Sequence, residues 1–295
     1  MQRSDWNYAG ATLSVCRWEG APDGAPVFHW AHATGLHAQT YAPLLAPLAG
    51  RVQVYAYDAR GHGQTTLPAD AATHHGWDFY RDDMVAFLEH LHAKTGAKIW
   101  LGGHSMGGAV SILAAAARPD LVAGLVLADP VVVPRVLRYL ARGVAALGLI
   151  RQNYRMAAQA ENRRADWPDS ETAKAAWRGR GSFAGWPEAF LEAHVAGGFR
   201  PLKGGGENTV RLACAPAWEA ANYRAYRHNA VAAIRRLRVP FTLLMAAQRS
   251  TTMARRVFHR LPVDKDVRVV PDSNHFLPIT HADLVRDAII ARIDP

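Results

Sequence analysis

One serine sits where nucleophilic attack is easy to arrange. Ser105 is the centre of Gly103-His104-Ser105-Met106-Gly107, with an apolar, strand-like run at 98–101 before it and a helical run from Ala109 after it. A strand that turns into a helix within so few residues strains the backbone of the residue at its apex and brings the two segments together. Glycines at 103 and 107 remove the side chains that would collide there. The hydroxyl is left exposed at a helix N-terminus, where free amides and the dipole favour the negative charge of an acyl-transfer transition state. Acyl transfer also needs a base and donors for the developing oxyanion. Asn274-His275-Phe276 follows a strand-like run at 267–270 and precedes a helix, so His275 is the expected base, reaching the serine from a loop. His32-Ala33-Thr34-Gly35 follows the strand-like 27–30, and the amides of Thr34 and Met106 are the expected oxyanion donors.

The elements that must hold these residues are short apolar runs alternating with segments of helical period, the pattern of strands and crossover helices in a mostly parallel sheet. Runs at 27–30, 52–57, 98–101, 121–128, 241–246 and 267–270 read as strands, and 9–18 as a leading hairpin. Trp77, Tyr80, Met84, Phe87, Leu88 and Leu91 recur at three- and four-residue steps, predicting a helix with one buried face that ends near Gly96. Further helices are predicted over 106–118, stopped by Pro119, and over 284–293. From Val131 to about Tyr223 the alternation fails, and Arg, Ala and Trp fall in helical patterns broken by turns at Trp167-Pro168, 179–185 and Gly204-Gly205-Gly206. This predicts two units, a core of 1–130 and 224–295 and a helical cap of 131–223. The cap would include an amphipathic helix carrying Val136, Leu137, Leu140, Val144, Leu147 and Ile150.

At this point the chain resembles the α/β-hydrolase-fold proteins over nearly its whole length. Asp58-Ala59-Arg60-Gly61-His62-Gly63 is similar to the family's turn after the next strand, and the cap interrupts the sheet where many members carry one. The resemblance implies a doubly wound α/β sheet, a Ser-His-acid triad, a lid-covered pocket and no cofactor. In most of the family the acid follows the strand that here is 241–246, yet from Phe241 through Val263 there is no Asp or Glu. Another subset takes the carboxylate from the end of the preceding strand, where this chain has Ala128-Asp129-Pro130, so the resemblance assigns the acid to Asp129. Its alternative is that Asp129 only caps the entry to the cap domain, with Asp272 or water orienting His275. A serine at 105 argues against epoxide hydrolysis and dehalogenation, which in this fold use an aspartate nucleophile.

Composition sets the remaining bounds. The 295 residues are 49% hydrophobic and 20% charged, as in an ordinary soluble domain. No apolar run reaches the roughly 20 residues that cross a bilayer, and the N-terminus lacks a signal-peptide pattern, so the cytoplasm is the expected location. Cys16 and Cys214 match no zinc, redox or disulfide spacing and read as buried free thiols. His74-His75, His90 with His92, and His29, His32 and His37 do not converge as metal ligands, so no metal is expected; His62 and His104 are expected to shape their turns. The net charge of +9 is concentrated in 131–225, which holds 14 basic and 8 acidic residues, but no nucleic-acid motif accompanies it. The expected partner is a small ester, with no nucleic acid and no transmembrane segment; a homodimer is left open. The expected activity is carboxylic ester hydrolysis, the alternatives being lactone, thioester or C–C bond hydrolysis by the same triad, or a non-catalytic small-molecule receptor on the same scaffold.

Overall fold

The strands follow from residues that can be buried on both sides. In the computed structural model, which describes residues 1–134, 152–225 and 227–293, eight strands form one sheet in the order β1-β2-β4-β3-β5-β6-β10-β11. They are β1 Gln2–Tyr8, β2 Ala11–Trp18, β3 Val27–Ala31, β4 Gln53–Tyr57, β5 Ile99–His104, β6 Val122–Ala128, β10 Phe241–Ala246 and β11 Lys265–Val270. Only β2 runs against the rest. Successive side chains enter opposite layers, as a pleated strand requires. Val27, Tyr55, Leu125, Leu127 and Leu243 face one hydrophobic core, while Phe28, Val54, Val126, Ala128 and Leu244 face the other.

Each core is closed by helices. On the first face lies Asp78–Thr95, which buries Tyr80, Met84, Phe87, Leu88 and Leu91 as its period predicts. Each such side chain contributes about 1.5–3 kcal/mol on burial. Gly96 ends this helix in the left-handed region, its amide closing on the His92 carbonyl at 2.8 Å. Met106–Ala117 lies on the same face, with Met106 through Ala115 all buried. On the second face Leu44, Leu45, Leu277, Ile279, Val285 and Ile289 cover the sheet, the last two from the helix Ala282–Ile293. No helix among the described residues is long and apolar enough to cross a membrane.

Two boundaries differ from the sequence reading. The leading hairpin begins at Gln2, not at Ala9, which with Gly10 forms its turn at positive φ. Its first strand is an exposed edge strand whose charged and polar residues conceal it. Between β6 and β10 the described residues hold helices, among them Gln152–Glu161, Ser170–Trp177, Glu188–Gly197 and Pro216–Arg224, but also a three-stranded antiparallel sheet of β7 Asp166–Trp167, β8 Phe199–Pro201 and β9 Val210–Leu212. Strands of two or three residues are too short to display a period of two. The amphipathic helix expected over 136–150 lies outside the described residues.

Candidate active site

The turn around Ser105 is as tight as its glycines require. Ser105 has φ 56° and ψ −116°, a conformation that side-chain-bearing residues rarely adopt. A Cβ on Gly107 would stand 2.2 Å from the Ala31 carbonyl oxygen, and one on Gly103 2.6 Å from the Gly107 carbonyl carbon. The elbow is therefore pressed between its own helix and the end of β3. The serine amide donates to the Ala128 carbonyl (3.2 Å), and the Val131 amide donates back to the Ser105 carbonyl (3.0 Å), which joins the elbow to the end of β6.

That junction delivers Asp129, itself at φ 43° and fully buried. His275, on the loop after β11, bridges the two groups. Its Nδ1–H donates to Asp129 Oδ2 at 2.7 Å, and its Nε2 lies 2.9 Å from Ser105 Oγ. Because a carboxylate can only accept, the ring proton is on Nδ1, which leaves Nε2 to accept the serine hydroxyl's hydrogen. Ser105, His275 and Asp129 are thus brought together. Asp272, the alternative orienting acid, is exposed on the same loop as His275, and the ring's carboxylate partner is Asp129.

The acid-free loop after β10 supplies what the sequence reading did not anticipate. The Ala246 amide at the end of β10 (3.1 Å) and, from this loop, the Thr251 amide (3.0 Å) and the Ser250 hydroxyl (2.5 Å) donate to the Asp129 carboxylate. Thr251 and Thr252 hydroxyls bind the Asp129 and Pro130 carbonyls at 2.8 and 2.9 Å. Burial pushes the Asp129 carboxyl up, but the His275 ring, Ser250 and Thr251 outweigh it and hold the group below the ordinary carboxylate range. The signal for these donors was the Ser-Thr-Thr run at 250–252.

The two oxyanion candidates lie side by side, the Thr34 hydroxyl donating to Met106 Sδ at 3.3 Å. Among the described residues, no hydrogen bond occupies the amide of either. One residue beyond Thr34 a polar cleft opens, lined by Gly35, His37, Gly63, Arg163, Trp177, His194 and Glu219. Glu219 is buried there against Gly35 and paired with Arg163 at 3.2 Å. Burial raises its carboxyl, against the pull of Arg163. Trp177 lines this cleft, and Trp186 packs on Phe276, the chain neighbour of His275. Trp167 packs edge-on against Trp177, while Trp218 stacks on His74 and donates to the Arg60 carbonyl.

The remaining polar residues act as supports. Asp58, fully buried, accepts from the amides of Ala38 (2.9 Å) and Gln64 (2.8 Å) and from Arg3, and so ties the 58–63 turn to the edge strand. His62 bonds the Arg60 carbonyl within that turn. Cys16 and Cys214 are buried and free; burial pushes the Cys16 thiol up to about 12. Among the described residues no group of three or more His, Cys, Asp or Glu side chains could hold a metal ion.

Comparison with known proteins gives consistent results. The sequence model of the "Alpha/beta hydrolase family" matches residues 24–288. A 2-(acetamidomethylene)succinate hydrolase of Mesorhizobium japonicum is 26% identical over 273 residues, covering 91% of this chain and 88% of that protein. The human monoglyceride lipase is 34% identical over 130 residues, and the match spans only 43% of this chain and 42% of the lipase. Among solved structures, that of an E-2-(acetamidomethylene)succinate hydrolase superposes with a TM-score of 0.79 at 22% identity, covering 100% of this chain and 99% of the other.

Proposed function

We propose, from the premise that the chain belongs to the alpha/beta hydrolase family, that this hydrolase cleaves carboxylic esters by way of a covalent acyl-enzyme on Ser105. The observation that carries the reading is the uninterrupted contact from Ser105 Oγ through the His275 ring to Asp129, at 2.9 and 2.7 Å. Ser105 attacks the ester carbonyl carbon while His275 Nε2 takes its proton. The tetrahedral oxyanion is held by the Thr34 and Met106 amides, and Asp129 stabilises the imidazolium. Collapse breaks the bond to the alcohol, which leaves with the proton from His275. Water, deprotonated by the same ring, then attacks the acyl carbonyl, releases the acid and returns the proton to Ser105. Lactones, thioesters and activated C–C bonds would follow the same steps, and product analysis distinguishes them. The 131–223 segment serves in this reading as a cap. In support, Arg200 donates to the Gly63 and Thr65 carbonyls, and His37 to the His194 carbonyl, across the cleft.

A second reading follows from the relative matched over most of both chains, whose name describes a succinate bearing an acetamidomethylene group. In this reading the substrate is a small carboxylate, and Arg163 in the cleft beside Gly35 is the group that would meet it. One experiment tests both. The full chain is treated with a fluorophosphonate and assayed on p-nitrophenyl butyrate, a monoacylglycerol and 2-(acetamidomethylene)succinate, with Ser105→Ala as control. Labelling confined to Ser105 and a loss of turnover on the order of a million-fold in Ser105→Ala are expected. Undiminished activity of that variant would refute the nucleophile, and absence of both label and turnover in the native chain would favour a receptor.

A further inference from the structure

Two buried side chains that the acyl-transfer steps leave unused, Tyr41 and His104, connect the two loops those steps depend on. The Ala33 amide lies 3.2 Å from Tyr41 Oη, Tyr41 Oη lies 2.7 Å from His104 Nδ1, and His104 Nε2 lies 2.7 Å from the His275 carbonyl oxygen. Tyr41 and His104 are both wholly inaccessible to solvent. One end of the chain is therefore the residue before Thr34, the other end is the base itself, and its middle is the residue before Ser105.

The two ends fix the direction of every bond. A backbone N–H can only donate and a carbonyl oxygen can only accept. His104 must then carry its hydrogen on Nε2 and offer a bare Nδ1, and the Tyr41 hydroxyl must accept from Ala33 and give its own hydrogen to His104. Any other tautomer leaves a buried donor facing a donor, or the carbonyl facing a lone pair. Burial holds the His104 ring down to about 3, with the neighbouring His275 adding to the effect, so the single-hydrogen form is the one present at neutral pH.

We infer that Tyr41 and His104 are positioning residues, a one-directional hydrogen-bonded brace that holds the oxyanion loop and the His275 main chain in register with Ser105. The inference rests on the reading of Ser105, His275 and Thr34 as the reacting set. Its physical basis is that the three groups come from separate loops after β3, β5 and β11. Each loop could shift independently, and displacement by about 1 Å costs acyl transfer on the order of a hundredfold. The ring of Tyr41 packs on Trp30 with centroids 5.5 Å apart, so a phenylalanine retains that packing and loses only the hydroxyl.

The test compares the native full chain with Tyr41→Phe, His104→Gln and His104→Asn. The readouts are kcat and KM on p-nitrophenyl butyrate, the rate of fluorophosphonate labelling of Ser105, and thermal unfolding. Glutamine at 104 places an N–H near the position of Nε2 and can still donate to the His275 carbonyl but leaves the Tyr41 hydroxyl without its acceptor; asparagine places its amide oxygen near Nδ1, keeps the bond to Tyr41 and cannot reach the His275 carbonyl. We expect all three variants to fold and to lose about tenfold to a hundredfold in kcat and in labelling rate with KM within about twofold, because each cuts one link of the brace. Native kcat and labelling rate in any of these variants that folds overturns the brace. Should Tyr41→Phe fail to fold, the Gln and Asn pair still decides. A native chain that is neither labelled nor active overturns the triad reading instead, which separates the two failures.

Discussion

Asp129 carries opposing demands at the scale of one residue. It is fully buried, which disfavours its charge, yet it accepts from the His275 ring, the Ser250 hydroxyl and two backbone amides, which favour it. Asparagine fits the space but turns an N–H₂ toward donors, and the cheapest escape is for His275 to move its hydrogen to Nε2, where it blocks the serine. Asp129→Asn is therefore expected to cost about ten-thousand-fold in kcat while the chain stays folded, measured by steady-state ester hydrolysis beside a thermal melt. A loss below about tenfold would mean that the carboxylate does not orient the base. Ser105 and His275 could be picked out from the sequence because each sits in a local strand-turn-helix context. Tyr41 could not, and Ser250 and Thr251 showed only as a run of hydroxyls without a target, since their partners His104 and Asp129 are 63, 121 and 122 positions away.

At the scale of elements, the elbow is a steric device that no side chain can share. The Ala31 carbonyl that a Gly107 methyl would meet is part of β3, the strand beside β5, and backbone in the middle of a sheet cannot withdraw. Gly107→Ala is expected to destabilise by several kcal/mol or to prevent folding. Gly50→Ala, with open space around its Cβ and no positive φ, is the matched control and should stay within about 1 kcal/mol of native. Chemical denaturation of the two variants compares them directly, and equal midpoints would show that β3 and the elbow helix are less closely apposed than the 2.2 Å approach requires. The β-strands that lie in the middle of the sheet were readable as unbroken apolar runs. The edge strand β1 and the short strands β7 to β9 were not, because one exposed face or two residues of length leave no pattern.

At the scale of the molecule, several histidines lie too deep to charge. Burial, aided by neighbouring histidines, takes His29, His62 and His104 down to about 3 and His37 down to about 4. In the unfolded chain the same rings take protons near pH 6.5. Between those values the unfolded state binds more protons, so stability rises with pH across the window and is lost as pH falls from about 6.5 toward 4. Each ring contributes up to about 1.4 kcal/mol per pH unit. The carboxyl of Asp129, held low when folded, adds to the loss only below the ordinary carboxylate range. Melting temperatures followed from pH 8 to pH 5 by circular dichroism are expected to be level above pH 7 and to drop steeply below 6.5. A flat profile to pH 5 would show that these rings are hydrated in the folded chain.

The alternation of apolar runs and helical periods determined the doubly wound sheet, since burial on one or both faces writes itself into residue order. The glycines and serine of the elbow likewise reveal their strained turn, because the collision they avoid is with near neighbours in the chain. What only the tertiary structure decided is which distant groups share a buried space. The acid-free loop after β10 became the cradle of Asp129, and Tyr41 came to lie between Ala33 and His104. Hydrogen bonds across a sheet edge depend on distances between elements, and those follow from how two cores pack around eight strands, which leaves no local mark on the sequence.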